Sequence, residues 1–175
     1  MILQYFIRNE NKDKNLAKDI YSSLVNLSKE IITKEILSIK NDFNSSFEIM
    51  SLFIFVIFYS YKGQKKTKRI NQEIMNLYVL DIDKSLRELG IGDTQIGKYV
   101  KSYVKKVYFR IKKLEHIFEN DNKVDFQSYI NKVNISSKIE DNKELSVFLF
   151  KVLKKLIKRA ENEVLSKNII KNLIK

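Results

Sequence analysis

A short motif invites a phosphate-binding reading. Gly92-Asp93-Thr94-Gln95-Ile96-Gly97-Lys98 carries the G-x-x-x-x-G-K spacing of a P-loop. In such a loop backbone N–H groups cradle phosphate oxygens and the lysine reaches the outer phosphates. The next residue should be Ser or Thr, to hold magnesium through its hydroxyl, but here it is Tyr99. A P-loop also follows a buried strand, whereas the residues before Gly92 have helical spacing. The segment is expected instead to be a helix–turn–helix corner. Gly90 and Gly92 would give it backbone freedom, and Gly97 a close approach of helices. Asp81 and Asp83 form an Asp-x-Asp pair, but residues two apart on a helix do not face each other. An ion pair of Asp83 with Arg87, one turn on, is the expected use. His116 is the one histidine and there is no cysteine. A thiolate metal site, a cysteine nucleophile and a Ser-His-Asp hydrolase are therefore set aside. No general acid–base set can be assembled from what remains. His116 is read as a surface residue, and the chain as a non-enzyme that holds neither cofactor nor metal.

The elements that position these residues follow from composition and periodicity. The 175 residues are 44% hydrophobic, enough to bury a core and to exclude intrinsic disorder. There is no proline and there are four glycines, too few for the tight turns of a β-sandwich or an α/β enzyme. The fold class is therefore all-α: a single helical domain over residues 1–175, with five to six helices packed around a central apolar helix. Asn15 is expected to cap a first helix with the apolar stripe Leu16, Ile20, Leu24, Leu27 and Ile31. A second helix is expected over residues 47–61, capped by Ser46. Its charge-free run, residues 49–61, would span about 20 Å as a helix, against about 30 Å of bilayer hydrocarbon. It is read as a buried core helix. Met1 to Ile7 is apolar but short, and Glu10 and Asp13 follow it, unlike a secretory or transit peptide.

After a basic loop at residues 62–69, Ile70, Ile74, Leu77 and Tyr78 open a third helix. Gly90 is expected to stop it in the left-handed region. Asp93 is expected to cap the fourth helix, residues 94–118. There Ile96, Val100, Val104, Val107, Ile111, Leu114 and Phe118 share one sector. Lys98, Lys101, Lys105 and Lys112 lie opposite, with Phe109 among them. A short helix at residues 126–133, a polar loop at 134–142 and a last helix from Lys143 toward the C-terminus complete the chain. Residues 166–175 lose the helical register and are expected to fray or to dock separately.

Net charge is +12, and its distribution says more than its sum. Residues 1–61 are balanced, while 62–69, 98–113 and 151–175 contribute +5, +7 and +6. No acid interrupts residues 98–113, so no i, i+4 salt bridge tames that face. A basic face with an aromatic among its lysines suits anionic lipid, an RNA backbone or an acidic protein.

Residues 81–110, DIDKSLRELGIGDTQIGKYVKSYVKKVYFR, resemble the signature of the ubiquinol–cytochrome c chaperone family. The matching positions are Asp81, Asp83, Ser85, Leu86, Arg87, Glu88, Gly90, Gly92, Asp93, Gly97, Lys98, Val100 and Lys101, with Tyr108 and Arg110 downstream. Residues 16–28 are similar to the family's first helix, with its tyrosine at Tyr21. The likeness is strongest over residues 15–118. The family's Pro-Asp-Thr is replaced by Asn41-Asp42-Phe43. Its Gly-Arg-Phe-Asp becomes Ser45-Ser46-Phe47-Glu48, and its Leu-His becomes Leu52-Phe53.

The resemblance implies an all-helical, non-enzymatic assembly factor for the cytochrome b of respiratory complex III. Newly made cytochrome b is the implied client, with a small assembly partner protein beside it. The implied place is the inner face of the cytoplasmic membrane or the ribosome. Lys98, Lys101, Lys105, Phe109 and Lys112 are the expected partner or membrane face. The alternatives are an RNA-binding or ribosome-associated helical module without that client, and an enzyme with an unrecognised carboxylate site.

Overall fold

The computed structural model describes residues 2–137, 142–163, 165 and 170, with side chains from Asn11 onward. Among the described residues six α-helices run in chain order: α1 (Ile2–Ile32), α2 (Phe43–Ser60), α3 (Lys68–Glu88), α4 (Asp93–Glu119), α5 (Lys123–Val133) and α6 (Asn142–Asn162). Single 3₁₀ turns at Glu35–Leu37 and Lys65–Thr67 lie in the connections.

Helix α2 is the centre, packed by α1, α3, α4 and α6. A helix that is apolar all round must be surrounded by protein or lipid. Here Ile49, Leu52, Phe53, Ile54, Phe55, Val56 and Ile57 are all buried by the neighbouring helices. By length and composition α2 could cross a membrane, but 72% of it is already enclosed by the protein. The expected central helix is therefore observed. Around it α1 packs on α3, α3 on α4, and α5 on α6. The stripe of α1 reaches this core through Ala17, Ile20, Leu24, Leu27 and Ile31.

The helix starts differ from expectation for local reasons. Asn15 is no cap, because α1 runs without a break from Ile2 through it. Helix α2 begins at Phe43, and its cap is Asp42, whose Oδ1 accepts the Ser45 N–H at 2.7 Å, displacing Ser46 from that role. A carboxylate at the helix start also meets the positive end of the dipole. Asn122 caps α5 by accepting the Asp125 N–H at 3.0 Å. The loops at residues 38–40 and 135–137 are tied by the Ile39–Ser136 bridge. There the Lys40 N–H donates to the Ile135 carbonyl at 2.8 Å, and the Ser137 N–H to the Ser38 carbonyl at 2.7 Å.

Helix α6 ends at Asn162 and does not continue toward the C-terminus. Beyond it Leu165 is buried, its N–H donating to the buried Tyr61 hydroxyl at 2.8 Å, and Ile170 is buried too. The rest of the stretch 166–175 lies outside the described residues.

Candidate partner-binding surface

The α3–α4 corner is built by backbone geometry first. Gly90 has φ +88°. The Ile91 N–H donates to the Leu86 carbonyl at 3.1 Å and the Gly90 N–H to the Arg87 carbonyl at 2.9 Å. This paired closure satisfies the last carbonyls of α3 and needs a left-handed residue, which glycine adopts without strain. Gly92 has φ −70°, within reach of any residue, so its expected backbone freedom is not used. Gly97 approaches no other helix, since a Cβ there would meet nothing within 4 Å.

Arg87 clamps the corner. Its Nε lies 2.6 Å from Asp83 Oδ2, the expected ion pair, and its Nη1 donates to Asp93 Oδ1. Asp93 thus serves Arg87 and not the backbone: Gly92 occupies the cap position of α4, with no side-chain cap bond. The P-loop alternative fails on the same geometry, since Gly92 to Lys98 spans a turn and the first turns of α4 with a helix ahead of it. Asp81 parts from Asp83 and accepts the Tyr21 hydroxyl at 2.8 Å, joining α1 to α3. Burial, then the Asp81 charge and hydrogen bond, raise the Tyr21 pKa well above its ordinary value. Leu86 is buried beneath the corner, and Glu88 pairs on the surface with Lys84 at 3.8 Å. Among the described residues no group of three or more His, Asp or Glu could hold a metal ion.

Helix α4 divides as its periodicity predicts. Ile96, Val107, Leu114 and Phe118 are buried, and Val100, Val104 and Ile111 are half-buried. Lys98, Lys101, Lys105 and Lys112 are exposed. Lys98, Lys105 and Lys112 are seven residues apart and form one stripe, with Phe109 (67% exposed) within it. Tyr108 is also exposed, at the flank of that stripe. His116 is on the surface beside Asn120, whose Nδ2 lies 3.3 Å from its Nδ1.

Arg110 turns the other way. Its guanidinium grips Glu48 with two prongs, Nε to Oε2 at 2.6 Å and Nη2 to Oε1. Glu48 is 2% exposed on α2, and Tyr129 of α5 donates to its Oε2 at 3.4 Å. The guanidinium also lies 5.2 Å from the centre of the Phe47 ring. Beside it the Tyr78 hydroxyl donates to the Phe47 carbonyl at 2.9 Å, with Ser51 Oγ at 3.1 Å. Burial draws the Arg110 pKa down, but the Glu48 hydrogen bond and charge outweigh it, and the net direction is up. Burial also raises the Tyr78 and Tyr129 hydroxyls, with Glu48 adding to both. This buried cluster was not anticipated. Its signal was Glu48 itself, the one acid set against the apolar run of α2. An ionised carboxylate there must find a cation.

A family model described as ubiquinol-cytochrome C chaperone matches residues 35–172. The chain belongs to the ubiquinol-cytochrome C chaperone family. The match takes in α2 to α6, so it includes Glu48, Arg110 and the whole α3–α4 corner. It extends past the expected limit at residue 118 and begins after α1, so residues 16–28 lie outside it. The crystal structure of the Cbp3 homolog from Brucella abortus superposes with a TM-score of 0.78 over 99% of this chain and 95% of that one. At 21% identity that likeness is one of fold. No curated protein matches the sequence. In this chaperone the family-motif residues do two kinds of work. Asp81, Arg87, Asp93 and Arg110 join helices to one another, with Asp83 holding Arg87 from within α3, while Lys98, Lys101 and Tyr108 face outward.

Proposed function

We propose that this chaperone assists assembly of ubiquinol–cytochrome c reductase, respiratory complex III, by holding newly made cytochrome b. It acts without catalysis, on the cytoplasmic side, at the inner face of the membrane or beside the ribosome. A small assembly partner protein shares the task. The match of residues 35–172 to the chaperone family carries this reading. The exposed stripe of Lys98, Lys101, Lys105 and Lys112 around Phe109 supports the location. Lysines neutralise headgroup or RNA phosphates, and an aromatic at the centre adds insertion or stacking.

The test is photo-crosslinking of a tagged full chain in native cells, read by mass spectrometry, with cytochrome b and complex III quantified in a deletion strain. Cytochrome b adducts, and loss of complex III without the chaperone, are expected. Intact complex III in the deletion strain would overturn the reading. The triple variant Lys98→Glu, Lys101→Glu, Lys105→Glu should fold normally yet leave the membrane and ribosome fractions. Unchanged sedimentation would remove the basic face from the mechanism.

The acid-free lysine run with an exposed phenylalanine favours a second reading, RNA binding. It requires log affinity to fall with log salt at about −0.7 to −0.9 per phosphate contact. A filter-binding assay at two salt concentrations separates it from a purely protein-binding chaperone.

A further inference from the structure

Helices α5 and α6 leave an open groove between them. They run antiparallel, since Asp121 meets Lys154 at 2.6 Å and the Phe126 and Phe150 rings are 5.3 Å apart. The groove encloses about 260 Å³, with buried Phe126 and Phe150 as its floor. At its mouth Val124 is 73% exposed and Val147 46% exposed. A second depression of about 440 Å³ lies against Val147 and Phe148, and the two share Lys143, Val147 and Lys151. On α6 these three residues are spaced i, i+4 and i+8, so a valine sits one turn from a lysine on either side. Lys123 lines the same groove at the end where Lys151 stands. Among the described residues no salt bridge engages Lys123, Lys143 or Lys151, while neighbouring Lys154 is held by Asp121. Among the described residues Glu144, which lines the second depression, is the one acid lining either cavity.

We infer that this groove docks an acidic amphipathic helix of a partner protein, whose apolar residues enter between Val124 and Val147 and whose carboxylates reach Lys123, Lys151 and Lys143. The placement of charge selects this occupant. Lys143 and Lys151 lie about 12 Å apart along α6, at opposite ends of the apolar floor. A single-chain lipid has one charged head and would leave one end uncompensated. A peptide helix with acids on both sides of its apolar residues matches both ends. RNA bases need a flat ring to stack on, and the mouth here is lined by branched aliphatic side chains. A second copy of this chain carries +12 itself and is repelled. The site is separate from the α4 stripe, shares no residue with it and does not depend on the client reading above.

The test places a photo-reactive benzoylphenylalanine at position 147 of the full chain in native cells and sequences the adduct. The expected adduct is a protein segment with apolar residues flanked by Asp or Glu. That segment, synthesised with a fluorophore, should bind the wild-type chaperone. Its affinity should fall at least tenfold with Lys143→Glu, Lys151→Glu, and by less with the alanine pair. Both lysines are exposed, so an unchanged circular-dichroism melt separates lost docking from lost folding. Three results would overturn the proposal: no protein adduct at position 147, an adduct with a basic, neutral or lipid partner, or binding indifferent to the reversal. Complex III levels are measured in the same strain, and intact complex III with lost docking separates this site from the assembly role.

Discussion

Glu48 and Arg110 show how much one pair can hold. Their side chains come from helices 62 residues apart in sequence, and the carboxylate is almost wholly enclosed. Desolvating two ions is costly, and only a bidentate geometry with a further donor offsets it. The fork of Arg110 and the hydroxyl of Tyr129 meet that requirement. Removing one partner leaves a buried charge alone, so Arg110→Ala should cost about 3–5 kcal/mol. The double variant Glu48→Met, Arg110→Met should recover most of the loss, because no charge then remains inside. Urea denaturation of the three proteins checks both statements. The motif residues of the corner differ in kind. Arg87 with Asp83 and Asp93 is exposed, and such surface pairs, screened by water and salt, add little to stability.

At the scale of elements, the two glycines of the corner separate conformation from packing. Gly90 sits at φ +88° and closes α3, so an alanine there must adopt the left-handed region, at roughly 1–2 kcal/mol. Gly97 lies inside α4 with open space where a Cβ would stand. Replacing it by alanine removes the entropy cost of a helical glycine and should stabilise by about 0.5–1 kcal/mol. Thermal melts of Gly90→Ala and Gly97→Ala should therefore move in opposite directions. A stabilised Gly97→Ala chaperone that still loses its client would show that the glycine serves a partner's approach. The capping differences have the same local origin. Asp42 reaches the Ser45 N–H from outside the helix, a competition that counting apolar spacing from Phe47 could not register.

For the whole molecule, buried phenols make alkaline stability a test of the packing. Tyr21, Tyr78 and Tyr129 all have pKa values raised above the ordinary value near 10 by burial first. In the folded state they keep their protons to higher pH than in the unfolded chain. The contribution is complete below about pH 10, and stability falls as pH rises beyond it. Each such tyrosine adds up to about 1.4 kcal/mol per pH unit to that slope. Denaturation followed from pH 8 to pH 11 should show the fall, and Tyr129→Phe should flatten it. A slope unchanged in Tyr129→Phe would mean that its hydroxyl is open to water.

Much of this molecule is local and therefore readable in its sequence. The 3.6-residue period sorted α4 into a buried face and a lysine stripe with Phe109 outside, because those faces depend only on neighbours one and two turns away. Gly90 announced the end of α3, since its conformation is set by its own missing Cβ. The all-helical class followed from four glycines and no proline. Tertiary structure alone decided which acid meets which base. Glu48 finds Arg110, and Asp81 finds Tyr21, across 60 residues or more, because helices cross where their apolar faces pack and not where their charges lie in sequence. The groove between α5 and α6 has the same origin. Val124 stands ahead of the helix expected at residues 126–133 and becomes part of α5 only because that helix starts at Lys123, and only antiparallel packing sets it and Val147 across a shared apolar floor with lysines at both ends.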